Sequence, residues 1–167
     1  MAEREQEKPA WGRPAAVRGL GRGRMTRTGA SQDCEASEAQ ITVSKRAQPL
    51  NPVIKEIAEN LAGIDVIRFV RVTPGFLQAS SEACGGGMVP ATKPGHPTAI
   101  GVSLIVEEDW EEIQFFEITS AIKGYGSRMV EAVLDALPKK WKAVVVMDWS
   151  GGFWKEMHRR HRRIVLA

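Results

Sequence analysis

The chain has 167 residues, 43% of them hydrophobic and 26% charged, which is ordinary globular usage and excludes a fibre or a wholly disordered polypeptide. The net charge of +3 is too small to point to nucleic acid by itself, and two cysteines, Cys34 and Cys84, are too few for a disulfide framework or a four-cysteine zinc site. No run approaches the ~18 apolar residues of a membrane-spanning helix, and the first residues lack the apolar centre of a signal peptide. The expected compartment is therefore the cytoplasm, without membrane contact.

Residues 1–48 carry nine Lys/Arg against six Asp/Glu, whereas the remainder is neutral, so the whole excess charge lies at the front. Glycines alternating with arginines and interrupted by Pro9 and Pro14 bury too little surface to offset ordering entropy. Residues 1–38 read as a disordered basic leader, with Met25 an alternative start, and 39–167 as a single domain. Gln40–Ser44 alternates like a short strand. Asn51 and Pro52 have the chemistry of a helix cap and first turn. Val53, Ile54, Ile57, Ala58 and Leu61 follow at helical spacing, and Gly63 ends the run. Asp65–Val72 is β-branched and alternating, hence a strand. Residues 73–97 are rich in Gly and Pro and read as the least regular segment.

Thr98–Val106 and Glu112–Thr119 read as consecutive strands around the acidic turn Glu107-Glu108-Asp109. After the glycine turn Lys123-Gly124-Tyr125-Gly126, a helix is expected over Ser127–Leu137, stopped by Pro138. Ala143–Met147 is continuously apolar, like a strand covered on both faces, and a helix over 150–160 and a short strand at 164–166 complete the order. The class is α/β (α+β), with a mixed, mostly antiparallel central sheet flanked by helices. The strand–helix–strand unit over 112–148 requires parallel pairing.

Two glycines between a strand and a helix let the backbone turn tightly and aim N–H groups at a ligand, and the first helical turn adds unpaired donors and a positive dipole end. That is a phosphate-binding arrangement, to which Lys123, Ser127 and Arg128 add donors. It is not a P-loop or a dinucleotide fingerprint, because neither spacing is met. A tight turn that binds nothing satisfies the same residues.

Lys123-Gly124-Tyr125-Gly126-Ser127-Arg128-Met129 resembles the acetyl-CoA-binding motif of the GNAT superfamily of N-acyltransferases. Asp148-Trp149-Ser150-Gly151-Gly152-Phe153-Trp154 is similar to that family's next motif. The specific resemblance covers about 112–158. It implies a GNAT-like fold with acetyl-CoA as acyl donor and no metal. It also implies transfer of the acetyl group to a primary amine of a small molecule or a protein. Phe116, Ile118 and Thr119 would line the cofactor's arm, and Lys123, Gly124, Tyr125, Gly126, Ser127 and Arg128 its pyrophosphate.

Glu117, flanked by Phe116 and Ile118 on the strand that would run beside the thioester, is the candidate general base. A solvated or structurally paired carboxylate explains it equally well. The acidic residues Glu107, Glu108, Asp109, Glu111 and Glu112 are a candidate rim for a cationic acceptor, or only a solvated turn. His158 and His161, three apart, offer two metal ligands without a third, and Cys84 with His96 is a nucleophile pair unsupported by spacing. Residues 139–163 hold eight Lys/Arg against two acids, with Trp141, Trp149 and Trp154 interleaved. The second functional reading is therefore a catalytically degenerate domain of the same fold. It would bind a protein partner, or less favourably nucleic acid, through this basic face. Dipole-matched cations and core tryptophans account for the pattern as well.

Overall fold

The computed structural model describes residues 38–85 and 87–167. The leader expected over 1–38, apart from Glu38, lies outside them, as does Cys34. The described strands are β1 (Gln40–Val43), β2 (Phe69–Thr73), β3 (Phe76–Ser80), β4 (Ala83–Cys84), β5 (Val89–Pro90), β6 (Ile100–Glu107), β7 (Glu112–Ser120), β8 (Lys142–Val145) and β9 (Ile164–Leu166). The α-helices are α1 (Pro52–Ala62), α2 (Tyr125–Ala136) and α3 (Phe153–Arg160).

Seven strands form one mixed sheet in the order β1-β2-β3-β6-β7-β8-β9, and β4 and β5 form a separate small hairpin. The α/β class holds, and the parallel pairing expected across 112–148 is present between β7 and β8. The sheet is mixed as expected, and its antiparallel pairings are the longer ones. Antiparallel pairs β2–β3, β3–β6 and β6–β7 are matched by parallel pairs β1–β2, β7–β8 and β8–β9.

A correction falls in the segment read as irregular. Thr73 pairs with Phe76, so Pro74-Gly75 is a two-residue hairpin turn, with Gly75 at φ +74°, and β3 lies between β2 and β6. Proline at the first central position and a positive-φ glycine at the second suit a tight reversal. The strand expected from Asp65 starts only at Phe69, because Ile67 N–H donates to the Ile64 carbonyl and closes a turn first.

α1 follows its sequence signals. Asn51 Oδ1 accepts the Val53 N–H at 2.9 Å, Pro52 is the first helical residue and Gly63 caps the end. Its buried face, Ile54, Ile57, Ala58 and Leu61, packs beside α2, where Asn60 Nδ2 donates to the Ala132 carbonyl at 3.1 Å. The two helices cover one face of the sheet, built by register from Val70, Val72, Leu77, Ala79, Val102, Leu104, Ile113 and Phe115.

Part of the opposite face is covered by a strap, residues 81–85 and 87–99, which carries β4 and β5. Ser80 Oγ donates to the Ala91 carbonyl at 2.7 Å, and a Cβ at Gly101 would stand 2.5 Å from the same oxygen. Gly101 thus lets two backbones lie against each other. Among the described residues no helix is long and apolar enough to cross a membrane.

Candidate functional site

The site begins with an interruption in β7. Ser103 pairs with Glu117 and Leu104 with Phe115, leaving Phe116 as an extra residue, a β-bulge. The bulge reverses the alternation of the strand. Ile113 and Phe115 face the helices, whereas Glu117 is level with Ser103 on the strap side. Thr92 Oγ1, only 5% exposed, donates to Glu117 Oε2 at 2.7 Å, so a half-buried carboxylate is fixed by the strap.

The second feature is a splay. β8 pairs with β7 only over Glu112–Gln114, and then the strands part. The apolar run read as a strand to Met147 therefore ends at Val145, and Val146 and Met147 are about half exposed. Trp154, almost fully buried, fills the base of the opening, with its ring 4.9 Å from Phe115 and 5.0 Å from Phe153. Beyond Gln114, the edge of β7 facing β8 is left without a strand partner among the described residues.

Three contiguous cavities follow this edge. The first, about 200 Å³, is lined by Phe116, Glu117, Ile118, Met147, Trp149 and Ser150, with Pro94 and Gly95 of the strap at its rim. It shares Ile118 and Ser150 with a second of about 270 Å³, which also touches Ser120, Gly126 and Phe153. The third, about 630 Å³, opens over Lys123, Gly124, Ser127 and Arg128. One groove thus runs from the Glu117 carboxylate to the glycine turn.

At that turn Gly124 has φ +98°, and α2 begins at Tyr125, two residues earlier than its apolar periodicity suggests. The first amide bonded within the helix is that of Arg128, to the Gly124 carbonyl, which leaves the amides of Tyr125, Gly126 and Ser127 at an open N-terminus. Gly126 is buried where a Cβ would stand 3.3 Å from the Phe153 ring, so α2 and α3 start in contact. α3 is entered through Gly151 and Gly152, both at positive φ.

Of the sequence candidates, Phe116, Glu117, Ile118, Lys123, Gly124, Gly126, Ser127 and Arg128 line this one groove. Thr119 is buried and does not line it. The side chains of Tyr125 and Arg128 are tied to Asp65. Tyr125 Oη donates to Oδ2 at 2.9 Å, Arg128 Nη1 donates to Oδ1 at 2.8 Å, and the guanidinium lies 4.8 Å from the tyrosine ring centre. The tyrosine hydroxyl above all, helped by the guanidinium, holds the Asp65 carboxyl below its usual range against the opposing effect of desolvation.

The acidic rim lies elsewhere. Glu112 opens β7 roughly 16 Å along the strand from Glu117. Glu108 accepts from Asn51 Nδ2 at 3.0 Å, Glu111 pairs with Lys140, and Glu112 accepts from Gln114 Nε2. These acids brace the β6–β7 turn. His96 Nδ1 accepts the Ala99 N–H at 3.0 Å, while Cys84 is exposed on the β4 hairpin. His158 Nδ1 lies 2.7 Å from the Ile164 carbonyl and His161 Nε2 3.4 Å from Glu131, so each histidine has its own neighbour.

Four of the eight basic residues of this stretch, Lys140, Arg159, Arg160 and Arg163, are engaged within the chain. Arg159 and Arg160 both bond Glu156, which they hold down to about 2, and Arg163 donates to the Leu137 and Pro138 carbonyls beyond the end of α2. Trp141 and Trp154 are core residues, but Trp149 is 84% exposed at the groove.

Sequence reasoning missed Thr92, Asp65 and Met147. Thr92 and Asp65 reach the site from 25 and 60 residues away, and no local pattern marks such partners. Comparison of the chain with family models, with curated proteins and with solved structures found no match.

Proposed function

We propose that the chain is a GNAT-like N-acetyltransferase that moves an acetyl group from acetyl-CoA to a primary amine. The observation that carries this reading is the continuity of the bulged, unpaired edge of β7 with the open N-terminus of α2. An extended chain with amide groups finds backbone partners along such an edge, as an added strand does. A pyrophosphate finds N–H donors and a positive dipole end at Gly124–Ser127, with Lys123 beside them. The donor set therefore fits a molecule with a peptide-like arm and an anionic end. Bound there, acetyl-CoA supplies an acetyl group activated as a thioester.

The chain's own part is to hold and deprotonate the acceptor. Glu117, fixed by Thr92, takes a proton from the ammonium and exposes the nitrogen lone pair. The amine nitrogen bonds to the acetyl carbon, the carbon–sulfur bond breaks with its pair leaving on sulfur, and the second amine proton passes to solvent. The chain's single tyrosine is held by Asp65, and the buried indole of Trp154 has no acidic proton to give, so the leaving sulfur is protonated by water.

The test is calorimetric titration of the full chain with acetyl-CoA. Binding in the micromolar range is expected. Ser127→Glu, which adds a negative charge to the helix N-terminus, weakens it about tenfold without lowering the thermal melt. No heat at millimolar acetyl-CoA overturns the reading in favour of a non-catalytic module. For that alternative the pairing of Arg159, Arg160 and Arg163 within the chain leaves a reduced basic face.

A further inference from the structure

We propose that the cavity at Glu117 selects a small amine with one positive charge on an apolar body, an arylalkylamine or alkylamine, over a polyamine. The chemistry at this site rests on the acyltransferase reading; the recognition rests on the cavity alone. Its volume of about 200 Å³ lies below the roughly 300–1,000 Å³ of sites for drug-sized ligands, so the body is small. Its walls are Phe116, Ile118, Met147 and Trp149, and Glu117 is the only charged side chain lining it among the described residues. Thr92 occupies Oε2, and the other carboxylate oxygen has no protein partner among those residues, which leaves one charge-assisted position for one ammonium. Trp149 and Phe116 offer exposed ring faces beside that position, suited to an aromatic body or to the cation itself.

A second positive charge is disfavoured at the cavity. Inside the cavity it would find no second acid to pair with among the described residues. Farther along the groove Lys123 repels it, whereas Arg128 and Arg160 are paired with Asp65 and Glu156 and Glu131 lines the same opening, so the discrimination is set inside the cavity. The acidic rim cannot compensate, since its carboxylates lie at the other end of β7.

The experiment titrates the full chain with 2-phenylethylamine, hexylamine, spermidine and a lysine-bearing peptide, each with and without acetyl-CoA, and follows acetylation of each amine. 2-Phenylethylamine is expected to bind about tenfold or more tighter than spermidine, also without acetyl-CoA. Glu117→Gln keeps an acceptor for the Thr92 hydroxyl but removes the charge, and is expected to weaken 2-phenylethylamine binding about tenfold at an unchanged melting temperature. Trp149→Ala raises the KM for 2-phenylethylamine about fivefold, and Trp149→Phe restores most of it. Preference for spermidine or the peptide overturns the inference, as does the absence of amine binding to the folded chain or an unchanged affinity in Glu117→Gln. Acetyl-CoA binding together with a spermidine preference removes this inference alone. Glu117-dependent binding of 2-phenylethylamine without acetyl-CoA binding removes the acyltransferase reading alone.

Discussion

Gly101 and Gly124 are required for different reasons, and substitutions separate them. A Cβ at Gly101 would press on the Ala91 carbonyl and, at 2.9 Å, on Ser80 Oγ, so the strap must lift. Gly101→Ala is expected to cost about 1–3 kcal/mol by urea denaturation and to loosen the Thr92–Glu117 contact. At Gly124 nothing lies within 4 Å, and only the φ of +98° opposes a side chain. Gly124→Ala is expected to cost about 1–2 kcal/mol through backbone strain. The Gly124 requirement was legible from the glycine spacing. The Gly101 requirement was not, because its partner arrives from a distant segment. Glu156 adds a pH dependence. Arg159 and Arg160 depress its pKa from 4.5 to about 2, so the pairing contributes fully above 4.5 and is lost as the pH falls toward 2. Thermal melts of wild type and Glu156→Gln should differ at pH 6 and converge near pH 2, with the difference shrinking in high salt.

The elements that declared themselves did so through strong local chemistry. α1 had a cap, a proline start and a glycine end, and α2 an apolar face at Met129, Val130, Val133 and Leu134. β3 was hidden. Its Gln78 and Ser80 lie on the face under the strap, so a buried strand carries the polar residues of a loop. The bulge was equally silent. Phe115-Phe116-Glu117 reads as plain alternation, and only pairing with β6 shows that Glu117 has changed sides. Ala143–Met147 was legible as apolar but not as a strand that ends early, because exposed Val146 and Met147 look like core until the splay is seen. At the far end of α2, Arg163 donates to the Leu134, Leu137 and Pro138 carbonyls and ties the C-terminal segment to the helix end. Arg163→Ala should lower stability by about 1 kcal/mol, read from the urea midpoint, and Lys at that position should recover only part of it.

On the scale of the molecule, the helix-covered face carries the apolar core, and the part of the other face beneath the strap is polar, with buried Ser80, Ser103 and Thr119 facing buried Thr92 of the strap. The strap and the splay together set the width of the groove. On the proposed function, acetyl-CoA at about a hundred times its Kd adds about 2.7 kcal/mol to stability, raising the melting temperature by several degrees. Amide exchange should slow in the same experiment at Phe116–Thr119, but not at Leu77–Ala79, which already have strand neighbours on both sides.

The parting of β7 from β8 has a consequence for handling the protein. Most sheets expose vacant hydrogen-bonding positions only at their outer margins, but here a length of vacant margin lies in the interior of the order, between two strands that belong together. An extended segment of any neighbouring polypeptide matches that slot as well as a small molecule does. Concentrated, ligand-free protein is therefore expected to self-associate through the slot, and light scattering on warming should fall when acetyl-CoA is added. On that view the occupant would also act as the missing stretch of strand that keeps one copy from serving as the template for the next.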